Sequence, residues 1–286
     1  MNARPGRLGI GIVGAGRVGP ILGAALAGAG HAIVGISAIS QSSRDRAEAI
    51  LPFVPILTVP EIVERSELVI LAVPDAQLAS LVAGLAATNT WQAGQLVLHT
   101  SAKFGIGVLA PALAQGAIPL AIHPAMSFTG TSIDLARLAD SYFAVTAPTP
   151  VLPIGQALVV EMGGEPVVVA EGDRARYAEA VEIATAFSTS IVDQAAALLA
   201  SIGIDRPGGV IAPLMRSAME NALSRTAPDR LDLSALDDDL DDLEDHDDRD
   251  LDDLEDHDDH DLDDPVAPED PTSQNDRTDR TTTEDE

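Results

Sequence analysis

Six residues near the amino terminus, Gly14, Ala15, Gly16, Arg17, Val18 and Gly19, constrain this chain more than any other stretch. They follow the apolar, β-branched run Leu8 to Val13 and lead into the alanine-rich run Val18 to Ala29, so the glycines fall where a strand gives way to a helix. At such a junction the first glycine permits the tight turn. The second lets a pyrophosphate approach the backbone, and the third lets the helix pack closely on the strand. The helix start also offers unpaired amides and a favourable dipole to phosphate. The spacing predicts a dinucleotide-binding unit with Gly14, Gly16, Arg17, Val18 and Gly19 at the phosphates. A glycine-rich packing turn without a ligand has the same spacing, but the flanking strand and helix argue against it.

The pattern continues through the first 170 residues, where short β-branched runs alternate with alanine-rich amphipathic ones. Strands are expected at 8–13, 32–36, 68–73, 96–99, 119–122, 142–145 and 166–169, and helices at 18–29, 44–49, 60–64, 76–85, 108–115 and 153–162. Such alternation predicts an α/β fold, a doubly wound parallel sheet covered by helices. After Gly172 the strand-like runs stop. Apolar residues then recur at helical spacing from Asp173 to Ile202 and from Val210 to Leu223. The expected organisation is a dinucleotide-binding domain over 1–170, a smaller all-helical domain over 171–228 and a tail over 229–286.

The formal net charge of -28 belongs mostly to that tail. Residues 229–286 carry 28 Asp and Glu against 4 Arg, whereas residues 1–228 carry 17 acids against 13 bases. The tail repeats LDDLEDHDD at 240–248 and 251–259, and charges this dense predict a disordered segment. Its Asp, Glu and His suggest loose cation screening, but no fixed metal-ligand spacing is present and no metal site is expected. The body has no basic patch of the kind nucleic acid requires. There is no cysteine, which excludes disulfides and a thiol nucleophile and suits a cytoplasmic protein. The apolar run Leu8 to Ile39, preceded by Arg4 and Arg7, imitates a signal peptide or membrane span, but its frequent glycines fit strand, turn and helix better. No membrane partner is expected.

Which dinucleotide binds is read at the end of the second strand, where an NAD site carries an acid for the ribose hydroxyls. Here the chain reads Gly35 to Arg44 without one, and Asp45 is the first acid. Ser40, Ser42, Ser43 and Arg44 can instead hold a 2′-phosphate, which predicts NADP. A polar loop with a helix cap is the plainer alternative.

In a doubly wound sheet the ligand sits beyond the carboxyl ends of the strands. Three polar groups fall there: Val73, Pro74 and Asp75; His99, Thr100, Ser101 and Lys103; and His123 with Ser127. Val73 and Pro74 are expected to border the cofactor. Hydride transfer needs a proton donor or polariser at the atom that gains charge, so His123, His99 and Lys103 are the titratable candidates, with Ser101 to orient a small-molecule substrate. Each also has a structural reading: hydrogen-bonded histidines at strand ends, a solvated lysine and, for Asp75, a helix cap.

GIVGAGRVG, LVILAVPD, HTSA and AIHPAMSF, followed by a strand and an alanine-rich helix from Tyr177, resemble in that order a family of candidate NADP-dependent oxidoreductases. These join a Rossmann-like domain to a domain of unknown function, DUF2520, and are similar to the wider 6-phosphogluconate dehydrogenase group. The resemblance spans roughly residues 8–225. It implies a small oxo or imino acid as substrate, ketopantoate-like among others, and a homodimer joined through helical domains. Related enzymes offer Lys or His and Asn to the substrate from the first helix of the second domain. This chain has Ala178 and Ala186 there, leaving Tyr177, Glu179, Glu182 and Thr185 as the polar groups. Those alanines keep a second reading in view, a non-catalytic NADP-binding sensor or interaction protein.

Overall fold

The computed structural model describes residues 7–226, so the expected tail over 229–286 lies outside the described residues. Seven strands form one sheet: β1 (Gly9–Val13), β2 (Ala32–Ser37), β3 (Leu68–Leu71), β4 (Leu96–His99), β5 (Ile118–Pro124), β6 (Tyr142–Thr146) and β7 (Glu165–Val168), in the order β2-β1-β3-β4-β5-β6-β7. Each of the seven expected strand runs forms one. Around the sheet lie α1 (Gly19–Gly28), α2 (Gln41–Ile50), α3 (Val59–Arg65), α4 (Asp75–Ala87), α5 (Ala110–Leu113), α6 (Ile133–Leu138) and α7 (Leu152–Glu161).

Strand parity divides the core in two. Ile10, Ile12, Leu68, Ile70, Leu98, Leu120, Ile122, Phe143 and Val145 are buried on one face against Ile21, Leu22 and Leu26 of α1 and Leu158 and Val159 of α7. Val13, Val69, Leu71 and Val97 are buried on the other, against α3, α4 and α5. With helices on both faces, the central strands read as continuous apolar runs instead of alternating ones. Each fully buried Leu or Ile contributes about 1.5–3 kcal/mol of transfer free energy.

The chain leaves β1 through α1 to β2 on one side, then returns through α3 to β3 on the other side of β1. The winding therefore reverses between β1 and β3, and a crevice opens beyond their carboxyl ends.

The sheet differs from the expected all-parallel one at β6, which pairs antiparallel to β5, with Ala121 opposite Thr146 and His123 opposite Ala144. Antiparallel neighbours need no crossover, so the link from β5 can return at the same end of the sheet through the short α6. The sequence reading did not anticipate α6. It is organised by the fully buried Asp134, whose Oδ2 accepts from the amides of Thr129 and Gly130 at 2.8 Å each.

Helix α8 (Arg174–Glu182) runs through a π turn (Ile183–Phe187) into α9 (Ser188–Ser201), and α10 (Pro207–Ser224) follows. The span Glu171–Ser201 is long and apolar enough to cross a membrane by length and composition. Among the described residues, the chain divides by internal contacts between Met215 and Arg216.

Candidate functional site

The crevice at the β1–β3 switch is a cleft of about 580 Å³ lined by residues that include Gly14, Gly16, Ser37, Ile39, Val73 and Pro74. The three glycines of the loop beside it differ in what surrounds them. Gly14 has φ +109°, and a Cβ there would collide with the Ala72 carbonyl. At Gly19 a Cβ would strike the Gly14 carbonyl and approach Ile12 Cγ2 to 3.0 Å, so the start of α1 sits directly on the turn. At Gly16 a Cβ would meet nothing within 4 Å. The turn, the packing contact and the open approach are thus separate positions in one loop, which is the shape a pyrophosphate requires. The Gly14 amide donates to Ser37 Oγ at 3.0 Å, anchoring the loop to the end of β2. Val18 occupies the N-cap position of α1, and Arg17 is exposed.

Arg46, which the sequence reading did not single out, donates from Nη1 to the Ala15 carbonyl at 3.0 Å and so ties α2 to the glycine loop. Arg17 and Arg46 both flank Gly130. Of the residues assigned to a 2′-phosphate, Ser40 and Ser43 line the cleft. Ser40 is also the N-cap of α2, its Oγ accepting from the Ser43 amide at 3.1 Å. Ser42 Oγ lies 3.1 Å from Ser40 Oγ, and Ser42 and Arg44 are exposed on the same turn without lining the cleft. Among the described residues, no carboxylate lines it.

The loop after β4 is closed on itself. His99 is fully buried on the side of the sheet that carries Val97, its Nε2 lying 2.9 Å from the Gly105 carbonyl. Its Nδ1 accepts from the Ser101 amide at 3.2 Å. A carbonyl can only accept, so Nε2 carries the proton and both ring nitrogens are used. Burial, with Arg174 adding to it, pushes His99 down to about 4 against the pull of its Gly105 bond, and the ring is neutral near pH 7. Ser101 Oγ accepts from the amides of Lys103 and Phe104 at 3.1 and 3.3 Å. Lys103 is exposed, its Nζ 5.8 Å from the Phe104 ring centroid. His99 and Ser101 are therefore committed to shaping this turn.

His123 is placed differently. It lines a second cleft, of about 360 Å³, with Met126, Ser127, Tyr177, Val181 and Thr185. Its Nδ1 lies 2.8 Å from the Tyr177 hydroxyl, and the rings meet edge to face with centroids 5.6 Å apart. Burial lowers His123 to about 4, with Arg174 adding to the shift and Asp75 opposing it. Burial raises the Tyr177 phenol, and Arg174 opposes that rise. The hydrogen bond leaves one donor in either tautomer. If Tyr177 donates to Nδ1, the imidazole carries its proton on Nε2; if Nδ1 donates, the phenol proton is free. In the sequence Tyr177 stands out only as one of the polar groups left on its helix. Its partnership with His123 spans 54 positions and leaves no local signal.

Among domain families, the Rossmann-like domain matches residues 1–124 and the DUF2520 domain, of unknown function, matches residues 141–251. A comparison with curated proteins gives no match. Among solved structures the chain is similar to a candidate NADP oxidoreductase from Bacteroides fragilis, with TM-score 0.64 and 19% identity over 84% of this chain and 92% of that one. It is also similar to pyrroline carboxylate reductase from Plasmodium falciparum, solved with NADP bound, with TM-score 0.53 and 11% identity over 82% and 84% of the chains. An imine reductase from Streptomyces aurantiacus gives TM-score 0.58 and 16% identity over 81% and 78%. At these identities the likeness is one of fold, and it runs through both the sheet and the helices that follow. In this chain a Rossmann-like domain is thus followed by a DUF2520 domain.

Proposed function

We propose that this protein is an NADP-dependent oxidoreductase that transfers hydride to or from a small oxo or imino acid. The observation that carries the reading is the open face of Gly16, set between the turn at Gly14 and the packed Gly19 where the sheet reverses its winding. The backbone of this loop and the start of α1 would hold the pyrophosphate, and Ser40, Ser43 and Arg44 the 2′-phosphate, with Val73 and Pro74 bordering the ring that reacts. Bound NADPH supplies a hydride. The chain supplies the proton, and the His123–Tyr177 pair is the group suited to it, since one donor is free in either tautomer. The bound NADP of the Plasmodium protein supports the cofactor, and the names of the pyrroline carboxylate and imine reductases support reduction of a C=N bond, the imino half of this reading.

The assembly we assign is a homodimer. Ile183, Phe187, Ile191 and Leu198 are exposed at spacings that put them on one side of the α8–α9 rod, which suits a second copy of the chain better than water. The helical region over 171–228 is taken as the substrate-facing domain and the cytoplasm as the compartment.

The test is a panel of oxo and imino acids offered to the purified protein while NADPH absorbance is followed. Oxidation that depends on one of them supports an enzyme. Tight NADPH binding without turnover of any would favour the sensor that Ala178 and Ala186 suggest.

A further inference from the structure

Behind the cleft at His123 and Tyr177 lies a positive charge that no carboxylate among the described residues neutralises at contact range. Arg174 is 2% exposed. Its Nε donates to Thr146 Oγ1 at 2.7 Å, and its Nη2 to the carbonyls of Ala121 at 2.7 Å and Ala144 at 3.1 Å. All three acceptors are neutral, and Nη1, also buried, has no partner. None of the ion pairs among the described residues includes Arg174. Glu171, the nearby acid, directs its two oxygens to the amides of Ile106 and Gly107 at 2.7 and 2.9 Å. A guanidinium keeps its proton when buried, and buried charges are ordinarily paired. Arg174 is held by dipoles instead, with Cζ 5.9 Å from the centroid of the Tyr177 ring, and that ring is a wall of the cleft.

We propose that Arg174 makes this cleft a site for an anionic oxo compound, of the 2-oxo acid class, with Tyr177 and His123 directed at the carbonyl oxygen. The inference deepens the oxidoreductase reading above and rests on it. In the reduction, a hydride from NADPH forms the new C–H bond at the carbonyl carbon, the C=O π pair moves to oxygen, and a proton from the Tyr177–His123 pair completes the hydroxyl. The products are a 2-hydroxy acid and NADP⁺. Negative charge grows on the oxygen as this happens, and a fixed positive charge in a poorly solvated wall stabilises it without reorganising. A carboxylate is attracted by the same charge. A protonated imine is repelled by it, so the cleft ranks an oxo acid above a neutral ketone and a ketone above an iminium ion. The His123 ring, held neutral by burial and by Arg174, reports the same environment. Arg174 acts across the Tyr177 ring without touching substrate, and is a positioning residue.

Calorimetry on the full chain, with and without NADPH, tests this with three probes of similar size: 2-oxopentanoate, 2-pentanone and protonated 1-pyrroline. We expect 2-oxopentanoate to bind at least about tenfold more tightly than either other probe. Arg174→Met should erase that ranking and Arg174→Lys should keep most of it, whereas a purely structural role would weaken all three probes alike. Equal binding of the three, tighter binding of 1-pyrroline, no binding of 2-oxopentanoate, or an unchanged ranking in Arg174→Met would each overturn the proposal. If Arg174→Met does not fold, the ranking on the unaltered protein decides. NADPH titrated alone separates the two readings, because its failure to bind removes the cofactor assignment while the ranking without nucleotide still reads the charge of the cleft.

Discussion

The Tyr177 hydroxyl stands 2.8 Å from Nδ1 of His123, joining the first turn of α8 to the carboxyl end of β5. Removing that hydroxyl takes away one neutral hydrogen bond, worth about 0.5–1.5 kcal/mol of stability. If the pair delivers the proton, Tyr177→Phe should lower the single-turnover rate by about 10²–10⁴-fold. NADPH affinity should change little. Stopped-flow measurement beside a melting curve tests this, and an unchanged rate would remove Tyr177 from proton transfer.

His99 and His123 both titrate near 4 in the folded chain. In the unfolded chain they titrate near the ordinary value of about 6.5. Between those values the unfolded state binds more protons, so stability should fall as pH drops from about 6.5 towards 4, by up to ~1.4 kcal/mol per pH unit for each ring. Above the unfolded value their contribution is complete and constant. Urea midpoints measured across this range check the sign, and a midpoint that rises on acidification would contradict it.

Gly16 and Gly19 should respond oppositely to the same substitution. Gly16→Val places its side chain in open space, so folding should change by less than about 0.5 kcal/mol while NADPH binding is lost. Gly19→Val forces a branched side chain against the Gly14 carbonyl and should cost about 1–3 kcal/mol or more. Melting curves and calorimetry on both variants separate the effects. Retained micromolar NADPH binding in Gly16→Val would mean that the loop does not hold the pyrophosphate.

Among the described residues, the cleft lining has serines and no carboxylate at the end of β2. NADPH should therefore bind at least about tenfold more tightly than NADH, a difference of about 1.4 kcal/mol. Arg44→Ala should remove most of that preference and leave NADH nearly unaffected, because the guanidinium would meet only the 2′-phosphate. Equal affinities for the two nucleotides in the unaltered protein would defeat the NADP assignment.

Much of the candidate site was legible because its signals are local. The dipeptide Val73-Pro74 and the serines after β2 sit where a strand ends, and strand ends are marked by loss of β-branched runs within a few residues. His99 shows where such reading stops. It ends β4 much as His123 lies at the end of β5, yet its two nitrogens are taken by Gly105 and Ser101 while His123 opens onto a cleft. Only the surroundings separate the two histidines, and those come from other segments.

By itself the sequence determined the seven strands, most of the helices and the placing of the glycine loop between β1 and α1, because periodicity and turn chemistry act over about a dozen residues or fewer. Only the tertiary structure decided the antiparallel direction of β6, the reach of Arg46 to Ala15, the pairing of His123 with Tyr177 and the seating of Arg174 on the carbonyls of Ala121 and Ala144. The reason is physical. These contacts join segments 19 to 54 positions apart along the chain (β5 with β6, for one), and they exist because burial brings whole elements together and leaves each enclosed polar group to find whichever partner lies within reach.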